Sequence, residues 1–131
     1  LSARTDATGA AALSRALARI GRTARIVSPP PGVLHLKTGA NLIDDDVLLV
    51  TAPMAAAGLF PGFECIIVGD GEDAAANALR LNDKLLVGAH FPRTLDKLAA
   101  RGFTLVPLDT REIGKIDAGL SCMSLRWQRP S

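Results

Sequence analysis

Twice along this chain two short apolar runs bracket a polar turn, and a helical segment and a third apolar run follow. In the first set Val33 to Leu36, extending toward Ile43, and Val47 to Thr51 flank Asp44-Asp45-Asp46. A helical turn at Met54 to Gly58 and a strand at Glu64 to Val68 complete it. In the second, Ala78 to Leu81 and Leu85 to Ala89 flank Asn82-Asp83-Lys84. An amphipathic helix from Arg93 to Arg101, with Leu95, Leu98 and Ala99 on one face, leads to a strand at Phe103 to Leu108. Apolar runs bounded by turn residues read as hairpin strands, and a helix before the next strand reads as a crossover. No residue identities relate the two sets, so the ββαβ repeat rests on order alone. The fold class is α/β.

Outside the two sets, Thr8 to Ile20 carries Leu13, Leu17 and Ile20 at helical spacing, with Asp6 as N-cap and Gly21 as the stop. Ala24 to Ser28 reads as a strand closed by Pro29-Pro30-Pro31-Gly32, and Met123 to Trp127 as the last strand. The apolar runs are strand-sized, Val47 to Val50 being as long as any, far below the roughly 20 residues of a bilayer span.

A net charge of +2 over 131 residues is too small for the electrostatic footprint of a nucleic-acid binder. Hydrophobic residues at 48% against 21% charged exclude a disordered chain. Cys65 and Cys122 are too few for a disulfide-stapled secreted scaffold, and nothing at Leu1-Ser2-Ala3-Arg4 resembles a signal peptide. A soluble, cytoplasmic unit is expected, and the start at Leu1 without Met reads as a chain that is cut, processed or incomplete.

The residues able to do chemistry are few. Cys122 lies in Gly119-Leu120-Ser121-Cys122-Met123-Ser124, at a loop–strand junction where a thiol can be exposed and oriented as a nucleophile. The competing reading is an inert buried cysteine, which suits Cys65 in its apolar strand better. His35 alternates with Leu34 and Leu36, so it faces away from them; His90 stands at a strand end, where a capping or surface role fits. The Cys and His spacings match no zinc motif. Asp44-Asp45-Asp46 reads as a solvated turn rather than a metal site, because adjacent side chains diverge. Gly69-Asp70-Gly71-Glu72-Asp73 has neither phosphate-loop nor calcium-loop spacing. A cysteine nucleophile and its acid–base histidine need only meet in space, and sequence alone leaves open whether they do.

Taken in order, Leu34-His35-Leu36-Lys37-Thr38-Gly39, Ala75-Ala76-Asn77, Phe91-Pro92-Arg93-Thr94 and Lys115-Ile116-Asp117-Ala118-Gly119-Leu120-Ser121-Cys122-Met123-Ser124-Leu125 resemble the C-terminal half of the bacterial dimethylarginine dimethylaminohydrolases. Ser2-Ala3-Arg4-Thr5 resembles that family's element before a helix. Arginine deiminases and amidinotransferases, its superfamily relatives, typically carry an acidic residue after the His-Leu pair and a His before the nucleophile. Lys37 and Ser121 stand at those positions here, which favours the dimethylarginine branch.

The resemblance implies a pentein, a fan of ββαβ modules around a central site, of which residues 1–131 would form roughly the C-terminal half of one catalytic domain. It also implies Cys122 as nucleophile, His35 as general acid and base, Arg4 on the substrate carboxylate, and the Ile116 carbonyl accepting from the guanidinium. The implied reaction hydrolyses N-ω-methylated arginine to citrulline and dimethylamine with no cofactor and no metal. The partners would be that small guanidine substrate, the N-terminal half that supplies the triad acid, and, should the protein be a homo-oligomer, further copies; neither nucleic acid nor membrane is implied. Ala118 replaces the glycine usual in this motif, which raises the question of whether that backbone needs positive φ. Trp127 reads as core or rim packing. The alternatives are an arginine deiminase or amidinotransferase-type enzyme, a noncatalytic assembly module, and a thiol redox sensor with Cys65 as resolving partner.

Overall fold

A computed structural model describes residues 4–125. Its centre is two three-stranded sheets of identical topology. In the first, β1 (Ala40–Asp44) and β2 (Val47–Val50) form an antiparallel hairpin with Ala40 opposite Val50. Helix α3 (Ala52–Ala56) then carries the chain to β3 (Glu64–Ile67), which lies parallel to β2 with Leu49 opposite Ile66. In the second, β4 (Leu79–Leu81) and β5 (Lys84–Gly88) form the hairpin. Helix α4 (Pro92–Ala100) leads to β6 (Thr104–Leu108), parallel to β5. The repeat read from element order is therefore present in three dimensions. Asn82, at φ 54, takes the left-handed conformation that a two-residue hairpin turn demands.

The modules share one core. Ile43, Leu49 and Ile66 of the first pack with Leu85, Val87 and Leu98 of the second, all nearly or fully buried. At about 1.5–3 kcal/mol per buried large aliphatic side chain, this cluster is the main attractive term joining the sheets. Polar links run along the same seam. Arg80 of β4 pairs with Asp44 and donates to the Ile43 carbonyl at 2.9 Å. Lys97 of α4 donates to the Ile67 and Val68 carbonyls, and Arg101 pairs with Glu64.

A 3₁₀ turn at Asp73–Ala76 joins the modules. Just before it, Glu72 is buried and accepts from the Arg93 N–H at 3.1 Å, the Thr94 N–H at 2.8 Å and the Thr94 hydroxyl at 2.7 Å. It thus satisfies the orphan donors that open α4. Burial alone would push its carboxyl up, but the Thr94 hydroxyl and N–H, the Arg93 N–H and the Arg93 charge outweigh it and hold Glu72 below its ordinary value. The Phe91-Pro92-Arg93-Thr94 motif is therefore scaffold.

The N-terminal arm is built differently. Helix α1 (Ala7–Ala18) starts where expected, the Asp6 carboxylate accepting from the Gly9 N–H at 2.8 Å, and ends before Gly21 at φ 70. It buries no residue, and Leu13 and Ile20 are exposed. Ala24 to Ser28 is not a strand, and neither is Val33 to Leu36. Pro29, Pro30 and Pro31, which lie between the two segments, have no N–H to give a ladder, so no strand runs on from one segment toward the other. Leu36–Gly39 instead forms a helical turn, α2, and the strand begins only at Ala40. Gly39 closes α2 against α3, where an added Cβ would lie 2.8 Å from Met54 Cγ. After β6 a short helix, α5 (Arg111–Gly114), leads into the cysteine loop. Met123 to Leu125 is not strand, and Trp127 lies outside the described residues. No helix among the described residues is long and apolar enough to cross a membrane.

Candidate active site

Arg4, His35, Lys37 and Cys122 line one cavity of about 660 Å³ between α1, the 24–36 segment and the cysteine loop. His35 caps α2 with extended backbone, and its carbonyl accepts from the Thr38 N–H at 3.1 Å. Cys122 is exposed. Two of the expected residues, separated by most of the chain, thus meet with Arg4 at the same cavity. Ile116 does not join them: it follows α5, its side chain is 70% exposed, and it does not line this space. His90 stacks obliquely on Phe91, with ring centroids 4.0 Å apart. Cys65 is half-buried against the smaller apolar cluster around Met54.

The thiol is held from below by Asn77, which follows the 3₁₀ turn and is 6% exposed. Its Nδ2 donates to Cys122 Sγ at 2.9 Å, while Oδ1 accepts from the Ser121 N–H at 2.9 Å and the Ser121 hydroxyl at 2.6 Å. One amide therefore uses both ends on the cysteine loop. Gly119 lets it in: a Cβ there would sit 2.4 Å from Asn77 Cγ. The residue with positive φ is Asp117, at 55°, and not Ala118. Ala118 therefore satisfies a motif whose steric demand falls on Gly119.

Lys37 closes the site from the other side, its Nζ donating to the Ser121 carbonyl at 2.9 Å. Buried Asn41 ties the two supports together, donating from Nδ2 to the Lys37 carbonyl at 2.6 Å and to the Ala76 carbonyl at 2.7 Å. Burial pushes the Cys122 thiol up, but the Asn77 amide, a Gly119 backbone hydrogen bond, the Lys37 charge and Ser121 together bring it below its ordinary value. Such a group is a thiolate more of the time, and the thiolate is the nucleophile. Among the described residues no group of carboxylate, histidine and cysteine side chains could hold a metal ion, and no carboxylate lines the cavity.

Sequence reading placed Asn77 only among supporting motif residues and did not single out Asn41. The signal available was weak: each is a polar residue flanked by alanines or apolar residues where a core stretch is expected.

No protein-family model matches the chain. It is 37% identical over 126 residues to the N(G),N(G)-dimethylarginine dimethylaminohydrolase of Pseudomonas aeruginosa, covering 96% of this chain and 49% of that protein. The protein of the same name from Streptomyces coelicolor is 32% identical over 126 residues, covering 94% and 46%. The chain thus spans about half the length of these relatives. A solved structure of the Pseudomonas aeruginosa enzyme, a cysteine-to-serine mutant complexed with citrulline, superposes with a TM-score of 0.90 at 36% identity over 97% of this chain and 49% of its own. An amidinotransferase from Microseira wollei shares the fold, with a TM-score of 0.84 at 18% identity over 100% of this chain and 41% of its own. By fold the chain is a pentein, and by sequence it is similar to the dimethylarginine dimethylaminohydrolases over about half of their length.

Proposed function

We propose that this chain is the C-terminal part of a single pentein catalytic domain and carries the nucleophile and acid–base residue of a dimethylargininase. The observation that carries the reading is that Cys122, with its thiol tuned by Asn77 and Lys37, shares a cavity with His35 and Arg4. Relatives named dimethylarginine dimethylaminohydrolase, one of them solved as a mutant complexed with citrulline, support the guanidine substrate.

A guanidinium carbon is cationic and resonance-stabilised, so its hydrolysis needs a strong nucleophile and a protonated leaving amine. The Cys122 thiolate attacks that carbon and forms a C–S bond, giving a tetrahedral adduct. Protonated His35 donates to the dimethylamine nitrogen as the C–N bond breaks, leaving a thiouronium on Cys122. Neutral His35 then takes a proton from water, whose oxygen attacks the same carbon. Cleavage of the C–S bond releases citrulline and restores the thiolate. Arg4 offers a bidentate match to the substrate α-carboxylate. The cavity presents Arg4, Arg25 and Lys37 and no carboxylate, a lining that suits the carboxylate end of the substrate and repels its guanidinium end. The acidic groups that grip the guanidinium, and the acid that orients His35, therefore belong to the other half of the protein, and this half alone is inactive. Unpaired Cys65 and Cys122 are in keeping with a cytoplasmic setting.

The test is product analysis with N-ω,N-ω-dimethylarginine and the full-length protein. Dimethylamine and citrulline are expected. Cys122→Ser should abolish their release, and His35→Gln should lower it by about 10²–10⁴-fold while the thiol still alkylates. Ammonia in place of dimethylamine would indicate a deiminase, and near-normal turnover by His35→Gln would overturn the acid–base assignment.

A further inference from the structure

We propose that Asn77 is a positioning residue for the nucleophile, holding the Cys122 sulfur and raising its thiolate fraction through a direct N–H···S contact. The inference rests on the assignment of Cys122 as nucleophile.

The geometry separates two tasks within one side chain. Oδ1 is occupied by the Ser121 N–H and hydroxyl, which fixes the loop. That leaves Nδ2, an obligate donor, directed at the sulfur at 2.9 Å. A donor at that position favours the charged form of its acceptor. The side chain cannot swing away, because it is 6% exposed and lies against Gly119 within the space a Cβ would need. Asn41 anchors the turn from which Asn77 projects through the Ala76 carbonyl. Lys37 reaches the same loop through the Ser121 carbonyl, adding its charge without touching the sulfur in this arrangement.

Asn77→Asp tests the role because it is nearly isosteric. One carboxylate oxygen still accepts from Ser121, so the loop is retained. The other replaces an N–H donor with an anion beside the sulfur. Iodoacetamide alkylation of Cys122, followed peptide by peptide so that Cys65 is counted separately, should show its pH midpoint moved upward in Asn77→Asp. A shift of about one unit makes the rate at pH 7 roughly three- to tenfold slower, the higher intrinsic nucleophilicity of the more basic thiol offsetting part of the change. An unchanged profile in a variant with native circular dichroism would overturn the proposal. Should Asn77→Asp fail to fold, the wild-type chain decides. The Asn77 side-chain amide resonance should titrate with the midpoint of Cys122 alkylation and lose that titration in Cys122→Ser. An amide signal indifferent to pH would refute the contact. Neither readout involves turnover, so a tuned thiol without dimethylamine release would remove the proposed reaction and leave the role of Asn77 standing.

Discussion

The two sides of the site are held by different physics. His35 lies on an arm, residues 4–38, in which no residue is buried, whereas Cys122 rests on Asn77 and buried Ser121, at the edge of a core shared by two modules. Cys122, the proposed nucleophile, is preorganised by this chain; His35, the proposed acid–base residue, sits on a surface that no buried residue of the described arm backs. The proposed two-stage hydrolysis would need both groups in register, so on that proposal the arm is where a further part of the protein would contribute most.

The sharpest way to break this contrast is to remove apolar volume from each side. Leu98→Ala, in α4 and fully buried, should lose about 2–5 kcal/mol of unfolding free energy in urea titrations. Leu13→Ala, 61% exposed on α1, should stay within about 0.5 kcal/mol. Equal losses would mean that the arm is as tightly packed as the modules.

A second test uses pH. Glu72 is held below its ordinary value, so its contribution is fully present above the unfolded-state value near 4.5 and fades as pH falls through the lower folded-state value. Glu72→Gln should cost about 1.5–3 kcal/mol at pH 7 and flatten the acid limb of stability. Parallel acid limbs in the two proteins would contradict the bracing role of Glu72.

A smaller effect sharpens the comparison at the thiol. Gly119→Ala should destabilise by about 1–3 kcal/mol by overpacking on Asn77, and slow Cys122 alkylation with it. Ala118→Gly, half-buried and at ordinary φ, should lose no more than about 1 kcal/mol and leave alkylation unchanged. The reverse ranking would place the motif's steric demand on the wrong residue.

These contrasts also explain what could be read from the amino acids. Hairpins around Asp45 and Asn82 were legible because apolar runs and turn chemistry agree there. The arm misled at Leu34 and Leu36, whose alternation mimics a strand although both are exposed, at 47% and 38%. Period-2 spacing signals a strand only where one face is buried, and among the described residues neither leucine is buried. Cys122 and His35 were recognisable through a motif, but Asn77 and Asn41 act through two or three side-chain hydrogen bonds each, which leave no periodicity to detect.

The contact between Lys37 and the Ser121 carbonyl spans 84 positions of chain, and that between Asn77 and Cys122 spans 45. Each module can pair its strands locally, but Asn77 and Lys37 reach the cysteine loop only across these long separations, closures that are slow relative to hairpin formation. Cys122 follows both modules in the chain, and on the proposal above it gains its thiolate character once the loop docks on Asn77. Its alkylation rate would then report the docking of that loop.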